Sequence, residues 1–110
     1  MATRLPSQQQ TLGEWQEYIA CKIEERGFAD ETLQDSFMLL VEEVGELAKS
    51  LRPLHGIKVA TDSTQKGHQE IEHEAADVFW LLVCVCNKLG IDLDSAIRSK
   101  EVKNAKRTWQ

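Results

Sequence analysis

The sequence predicts an all-α fold, a four-helix bundle within one domain. Apolar residues recur at three- and four-residue spacing along four segments, strand-like alternation is almost absent, and glycine or proline separates the segments. The chain has 110 residues, of which 42% are hydrophobic and 28% charged, a composition typical of a globular protein with a single core. We expect residues 1–10 to form a flexible N-terminal segment and residues 11–110 to form the helical domain.

The first helix begins at a capping box. The Thr11 side chain can accept a hydrogen bond from the backbone of Glu14, whose carboxylate can accept one in return. Apolar residues then recur at helical spacing until Gly27 provides a natural stop. We therefore predict a helix from about Leu12 to Arg26. Its apolar stripe is Leu12, Trp15, Ile19 and Ile23.

The second helix has the same kind of start. Thr32 with Asp35 predicts its N-terminus, and it should end before Pro53, because the residue preceding a proline avoids helical geometry. The segment from Pro53 to Gly67 lacks periodicity, so we predict a long loop with a short extended piece at Ile57 to Val59. The apolar stripe of the second helix is Leu33, Phe37, Leu40, Val41, Val44, Ala48 and Leu51.

The third helix contains the most apolar run of the chain. We predict it from about His68 to Leu89, followed by a fourth helix that begins at Asp92 or Asp94 and runs towards Trp109. Residues from Val78 to Cys86 are apolar on every face, so a helix there must be covered all round. Because the other helices of one small domain cover three sides at best, we expect a homo-oligomer that packs through the third helix.

Net charge and cysteine content narrow the function classes. The net charge of −5 disfavours a nucleic-acid partner, since duplex binders need a positive face to neutralise phosphates. Cys21, Cys84 and Cys86 cannot all pair, and the last two lie in the apolar run, which predicts buried thiols in a reducing cytoplasm. The sequence shows no signal-like start and no apolar run long enough for a membrane span. We expect no membrane partner.

Two carboxylate clusters interrupt the apolar stretches of the second and third helices, and neither motif contains Lys or Arg. Two unit charges about 4 Å apart repel by about 4 kcal/mol at an effective dielectric near 20, so converging carboxylates require a cation. At about 100° per residue, the acids of the two helices lie at matching offsets from their apolar stripes and can face one another. Oxygen ligands favour Mg²⁺ or Mn²⁺ over zinc or copper. The candidate ligands are Glu43, Glu46, Glu74 and Asp77.

Three neighbouring residues have weaker geometry. Glu42 lies almost opposite the apolar stripe, and Glu70 lies one turn before Glu74. Either residue could orient a metal-ligating side chain or accept a proton without contacting the metal itself. Glu70 and His73 match the Glu-x-x-His element of di-iron bundles. Such sites need that element twice, which makes a ferritin-like oxidase a poor second choice.

The fourth helix carries cations along one face. Ile97, Lys100, Asn104 and Arg107 follow at spacings of three, four and three, with Lys103 beside them. A basic face near a helix C-terminus is equally typical of a solvated surface. Beside an acidic metal site it would bind phosphate, and Arg107 could bind two oxygens at once.

Four motifs together resemble, in order and spacing, the MazG-like nucleoside triphosphate pyrophosphohydrolases of the all-α NTP pyrophosphatase superfamily. The motifs are Glu42-Glu43-Val44-Gly45-Glu46-Leu47, Glu74-Ala75-Ala76-Asp77, Leu89-Gly90-Ile91-Asp92-Leu93 and Lys100-x-x-x-Asn104-x-x-Arg107. The match runs from about Leu33 to Trp109. The resemblance implies a MazG-like helical bundle that forms a homodimer or a dimer of dimers.

The resemblance also implies a reaction: Mg²⁺-dependent cleavage of a ribo- or deoxyribonucleoside triphosphate between its α- and β-phosphates, which gives a monophosphate and pyrophosphate. Such an enzyme would limit or clean a nucleotide pool. By position, the metal ligands would be Glu43, Glu46, Glu74 and Asp77, with Glu42 in the first place of the motif. The positions of Lys100, Asn104 and Arg107 match those that contact the phosphates.

Two further roles follow for this reaction. We expect Glu43 or Glu46 to assist the attacking water as the catalytic base. Trp15, Phe28 and Phe37 are candidates for stacking on the base of the nucleotide, although core packing is the more common role of such aromatics.

Two alternative functions stay open. One is a phosphoribosyl-ATP pyrophosphohydrolase, and the other is a non-catalytic helical module that binds metal or nucleotide to regulate a partner.

Overall fold

A computed structural model describes residues 4–56 and 68–108 of the chain, and these residues form helices and turns with no β-strand. The all-α prediction is confirmed. The elements are α1 (Leu12–Glu25), α2 (Leu33–Leu51), a 3₁₀ helix (Arg52–His55), α3 (His68–Leu89) and α4 (Leu93–Ala105). No helix in the described ranges is long and apolar enough to cross a lipid bilayer.

The helix boundaries follow the capping signals of the sequence. The capping box of α1 forms, with the Glu14 amide donating to Thr11 Oγ1 over 3.2 Å and the Thr11 amide donating to the Glu14 carboxylate over 3.3 Å. The box of α2 forms in the same way between Thr32 and Asp35. Of the two candidates for the start of α4, Asp92 is the cap, because its carboxylate accepts from the Ser95 amide. These local hydrogen bonds explain why sequence alone located the helix starts.

The segment after α2 is the main correction to the predicted elements. We expected a loop from Pro53 onwards, whereas a 3₁₀ helix spans Arg52–His55. Pro53 fits the first turn of a helix because its φ angle is already helical and an N–H at this position would have no partner. The predicted extended piece at Ile57 to Val59 lies outside the described residues, as does Trp109.

The chain divides into two compact units, and α3 contributes to both. The first unit is Met1–Asp30 with Val83–Gln110, and the second is Glu31–Leu82. The predicted boundary between residues 1–10 and 11–110 stays a prediction.

The core of the first unit is small. Ile19 and Val83 are fully buried, and Cys84 and Cys86 are also buried, while Cys21 is exposed. The two buried cysteines therefore act as small hydrophobic residues, as predicted. The apolar run of α3 is incompletely covered within the chain, since Leu82 remains 38% exposed.

A buried polar network ties α1 to the end of α3 and the start of α4 within the first unit. The Gln16 side-chain amide donates to Asn87 Oδ1 and to the Ile91 carbonyl, each over 2.9 Å. Its oxygen accepts from the Leu93 amide over 2.9 Å, and Asn87 Nδ2 donates to the Gln16 carbonyl over 3.0 Å. The network thus fixes the turn in which Gly90, at a φ of 68°, ends α3.

The predicted apolar stripe of α2 is largely uncovered in the single chain. Phe37, Val41 and Val44 lie on this stripe and are exposed, and so is Met38 beside them. The stripe is therefore not a core of this chain by itself. Contiguous apolar surface of this kind is typical of an interaction site.

We expect Thr32→Ala to destabilise the protein by about 1 kcal/mol, because the first turn of α2 loses the side-chain acceptor for its Asp35 amide. Urea denaturation followed by circular dichroism measures the change. Thr32→Ser, which keeps the hydroxyl, is the control and should retain most of the stability. Equal losses in the two variants would contradict the capping role.

Candidate metal centre

Helices α2 and α3 bring three carboxylates together in the second unit. One oxygen from each of Glu43, Glu74 and Asp77 lies within 4.8 Å of the other two. Glu74 and Asp77 share a face of α3 because residues three apart are neighbours on a helix surface. Glu43 and Glu74 are half-buried, whereas Asp77 is exposed. The cluster therefore opens towards solvent on one side.

The electrostatics of the cluster indicate an excess of negative charge. The pKa of Glu43 is raised above its ordinary value of 4.5, first by partial burial and then by the charges of Asp77 and Glu74. A side-chain hydrogen bond with Glu74 and the charge of Glu42 raise it further. Each of these influences disfavours the ionised form. A divalent cation would supply the positive charge that this set of hard oxygen donors lacks, so the residues fit such an ion.

Three of the predicted carboxylates do not belong to the group that could hold a metal, and one of them, Glu42, is exposed. Glu46 is half-buried on α2 but does not belong to the group formed by Glu43, Glu74 and Asp77. The helical-wheel offset is the physical reason, since Glu46 lies about 60° further from the apolar stripe than Glu43. Glu70 is exposed. The ligand role of Glu46 and the supporting role of Glu70 stay predictions.

Only carboxylates form the cluster. Among the side chains that the structure describes, no histidine or cysteine joins a group that could hold a metal. His73 is exposed, and the Glu70–His73 element is not part of such a group. The donor set therefore suits a hard cation rather than the mixed nitrogen and oxygen ligands of a di-iron oxidase.

The basic residues at the end of the chain lie in the first unit. Lys100, Lys103 and Asn104 lie on α4, whereas Arg107 lies beyond Ala105, where the helix ends earlier than we predicted. Lys100, Lys103 and Arg107 are exposed, and Asn104 is half-buried. Ile97, which we expected to begin an inward face, is 50% exposed. The cations are thus accessible to a ligand, and their role in phosphate binding stays a prediction.

The three aromatic candidates differ in their surroundings. Trp15 is half-buried and packs edge to face on Tyr18, with ring centroids 5.7 Å apart. Phe28 and Phe37 are exposed, so neither side chain packs in the core of the single chain. Phe37 and Met38 help to line an apolar cavity of about 340 Å³ at the start of α2. Phe37 is therefore the aromatic best placed to contact an apolar or aromatic ligand.

Our reading of the sequence missed the Gln16 network. The available signal was the position of Gln16 between Leu12 and Ile19, on or beside the apolar stripe of α1. A polar side chain on a buried stripe requires hydrogen-bond partners. Those partners, Asn87 and the turn after α3, are more than 70 residues away in sequence, which only the tertiary structure reveals.

Comparison with known proteins identifies the family of this all-α chain. The family model described as the MazG nucleotide pyrophosphohydrolase domain matches residues 31–109, which include both acidic motifs and α4. The chain belongs to this family, a class of hydrolases. The predicted resemblance is confirmed.

Individual proteins show the same relationship. Protein YpjD of Bacillus subtilis is 37% identical over 57 residues, which are 52% of this chain and 50% of the relative, so the match spans about half the length of that protein. A crystal structure of YpjD aligns with a TM-score of 0.75 and 25% identity, covering 93% of this chain and all of the other.

Two further solved structures resemble the fold. A Bacillus-conserved MazG protein, described as a nucleotide pyrophosphohydrolase, aligns with a TM-score of 0.69 and 25% identity over 94% of this chain and 97% of the other. A MazG-like pyrophosphohydrolase of cyanophage S-2L aligns with a TM-score of 0.68 and 30% identity over 94% of this chain and 87% of the other. That phage enzyme is bound to dGDP and three catalytic Mn²⁺ ions per active site.

The raised pKa of Glu43 predicts a pH-dependent stability in metal-free buffer. A carboxyl whose pKa is higher in the folded state stabilises the fold below its unfolded value, near 4.5, and this contribution is lost as pH rises through the folded pKa. Glu43→Gln removes the titration. We therefore expect the variant to be more stable than the native chain at pH 7.5, and the difference to shrink towards pH 4.

Urea denaturation in the presence of a chelator, repeated across this pH range, measures the effect. Glu24→Gln, at an exposed position of α1 in the other unit, is the matched control and should change stability little at any pH. A native chain that is more stable than Glu43→Gln at pH 7.5 without metal would contradict the electrostatic interpretation.

Proposed function

We propose that this protein is a divalent-metal-dependent nucleoside triphosphate pyrophosphohydrolase that releases a nucleoside monophosphate and pyrophosphate. The observation that carries the proposal is the convergence of Glu43, Glu74 and Asp77 within 4.8 Å in a chain of the MazG family. The nucleotide and Mn²⁺ ions bound by the cyanophage relative support both the substrate class and the use of a divalent metal.

In this proposal, Glu43, Glu74 and Asp77 hold the metal, which is Mg²⁺ or alternatively Mn²⁺. Carboxylate oxygens are the ligands that both ions prefer. When bound, such a cation lowers the pKa of a coordinated water and neutralises negative charge on the triphosphate. The chain itself contributes the fixed negative cluster that positions the ion between α2 and α3.

We propose that Glu43 or Glu46 assists the attacking water as the catalytic base, which accepts its proton. Glu43 belongs to the cluster, and Glu46 lies half-buried one turn further along the same helix, where it is also proposed as a fourth metal ligand. Glu42 contributes negative charge close to Glu43, which adds to the repulsion within the cluster and to its attraction for a cation.

The phosphates and the base of the substrate need further contacts. We propose that Lys100, Lys103, Asn104 and Arg107 bind the phosphates, because ammonium and guanidinium groups form strong hydrogen bonds with phosphate oxygens. For the base, we propose Phe37, which is 56% exposed beside an apolar cavity, in preference to the half-buried Trp15. Phe28 is a second exposed candidate.

The protein acts, in this proposal, as a homodimer or as a dimer of dimers. Val41 and Val44 are 55% and 48% exposed in the single chain, and with Met38 they form an apolar surface on α2. Burial of such a surface against a second copy would remove it from water, at about 25 cal/mol per Å². Leu82 of α3 is also partly exposed. The proposed interface therefore includes α2 as well as α3, the helix through which we predicted the contact.

A product-resolved assay tests the proposed reaction. The protein is incubated with each common ribo- and deoxyribonucleoside triphosphate and with phosphoribosyl-ATP, in Mg²⁺ and in Mn²⁺, and the products are separated by ion exchange. We expect pyrophosphate and a nucleoside monophosphate from at least one triphosphate. Turnover of phosphoribosyl-ATP alone would favour that alternative, and release of orthophosphate alone or no turnover would refute the proposal.

Glu43→Gln should lower kcat by at least about 100-fold, because even residues that merely support metal ligands cost about 10- to 100-fold on mutation. Glu24→Gln is again the control and should keep full activity. Thermal unfolding with and without Mg²⁺ separates binding from catalysis, since Mg²⁺ should stabilise the native chain but not Glu43→Gln. Equal stabilisation of both proteins would contradict a metal-binding role for Glu43.

Val41→Glu tests the proposed homo-oligomer, because it places a charge on the exposed apolar surface of α2. Size-exclusion chromatography with light scattering should give two or four times the mass of one chain for the native protein and the mass of one chain for the variant. Val102→Glu, on α4 at a similar exposure of 57%, is the matched control and should leave the mass unchanged. A monomeric native protein would contradict the proposed assembly.

A further inference from the structure

Gln16 is one of the few buried polar side chains among the described residues, at 9% exposure. The side-chain oxygen of Gln16 accepts a hydrogen bond from the Leu93 amide. The side-chain nitrogen donates to Asn87 Oδ1 and to the Ile91 carbonyl. Only one orientation of the Gln16 side-chain amide forms all three hydrogen bonds, because the backbone N–H of Leu93 can only donate and the carbonyl of Ile91 can only accept. Gln16 is therefore locked in place.

The bond to Leu93 satisfies a group that a helix leaves open. Leu93 is the first residue of α4, and the amides of the first turn have no partner within a helix. Asp92 caps the Ser95 amide, and Gln16 supplies an acceptor from α1 for the Leu93 amide. The start of α4 is thus capped twice, once by its own chain segment and once by another helix.

Packing alone holds α4 weakly. The helix contains no buried residue, and only Leu93, Asp94 and Asn104 are half-buried. A helix without a buried face gains little from the hydrophobic effect, so its direction depends on the few directional bonds at its ends. The bonds from Gln16 are directional and part-buried, and they lie at the start of the helix or two residues before it.

Small changes at that start move the far end of α4 substantially. Asn104 follows Leu93 by eleven residues, which at about 1.5 Å per residue places it about 16 Å along the helix. A tilt of about 10° at Leu93 then moves Asn104 by about 3 Å, more than the range within which a hydrogen bond survives. Lys100 and Arg107 would be displaced with it.

We propose that Gln16 is a positioning residue for substrate binding, which holds α4 in the orientation that presents Lys100, Asn104 and Arg107 to the phosphates. Gln16 itself touches no substrate in this inference. The inference rests on the proposed function for the phosphate contacts, whereas the link between Gln16 and α4 rests on the hydrogen bonds of the first unit.

Gln16→Met tests the inference, because it keeps the length of the side chain and removes all three hydrogen bonds. Amide exchange followed by NMR should show faster exchange at Leu93 and in the first turn of α4. Calorimetric titration with inorganic triphosphate in Mn²⁺ should show a dissociation constant raised about tenfold, the loss expected for one charge-assisted hydrogen bond. The affinity for Mn²⁺ alone should stay within about twofold, since the carboxylate cluster belongs to the other unit.

Two further variants separate positioning from general destabilisation. Ile19→Val trims a fully buried neighbour on the same helix without touching the network, and its triphosphate affinity should stay native. Gln16→Met combined with Arg107→Gln should lose less affinity than the two single losses added together, because the tilt already displaces the contact that Arg107→Gln removes. If Gln16→Met does not fold, Gln16→Leu replaces it in the same measurements, since leucine also lacks the acceptor for the Leu93 amide and both donated bonds.

Each outcome decides a separate point. Unchanged exchange at Leu93 would overturn the positioning of α4, whatever the activity of the protein. Faster exchange with native triphosphate affinity would overturn the link to phosphate binding, as would an equal loss of Mn²⁺ affinity. A native chain that neither binds triphosphate nor hydrolyses any nucleotide would refute the proposed function and the substrate-binding part of the inference, and the exchange result would still decide the position of α4.

Discussion

Electrostatic repulsion between Glu43, Glu74 and Asp77 is the constraint on which the interpretation of this protein depends. Three carboxylates within 4.8 Å of one another oppose folding unless protons or a cation compensate their charge. Partial burial and that repulsion together raise the pKa of Glu43. In the proposed function, the cluster lowers stability in the metal-free state and serves as a preformed site for a hard divalent ion.

The two units contribute different kinds of residue. The second unit holds the carboxylates on α2 and α3, and its apolar residues on α2 remain exposed in the single chain. The first unit holds the basic face of α4, whose start is fixed by Gln16 rather than by a buried apolar face. Negative ligands for a cation and positive groups for phosphate are the two requirements of phosphoryl-transfer chemistry, and the chain supplies both.

Local signals were sufficient for the helices and for the family. Capping boxes at Thr11 and Thr32 and the glycine after α3 act within a few residues, so their effect is readable in sequence. The helical-wheel angles correctly predicted that Glu43 faces Glu74 and Asp77. They also placed Glu46 at a larger angle than Glu43 from the apolar stripe of α2. The exposure of Phe28 and Phe37 could not be read in this way, because a periodic stripe shows which residues share a face and not what covers that face.

The sequence by itself determined the all-α class, the starts of the helices, the acidic motifs and the resemblance to the MazG family, since each depends on residues close together in the chain. Only the tertiary structure decided which carboxylates converge, because their distances depend on how α2 and α3 pack. It also decided that Gln16 bonds to Asn87, Ile91 and Leu93, a set of contacts spanning 71 to 77 residues of sequence separation. Such partners are set by packing, which no local pattern of residues encodes.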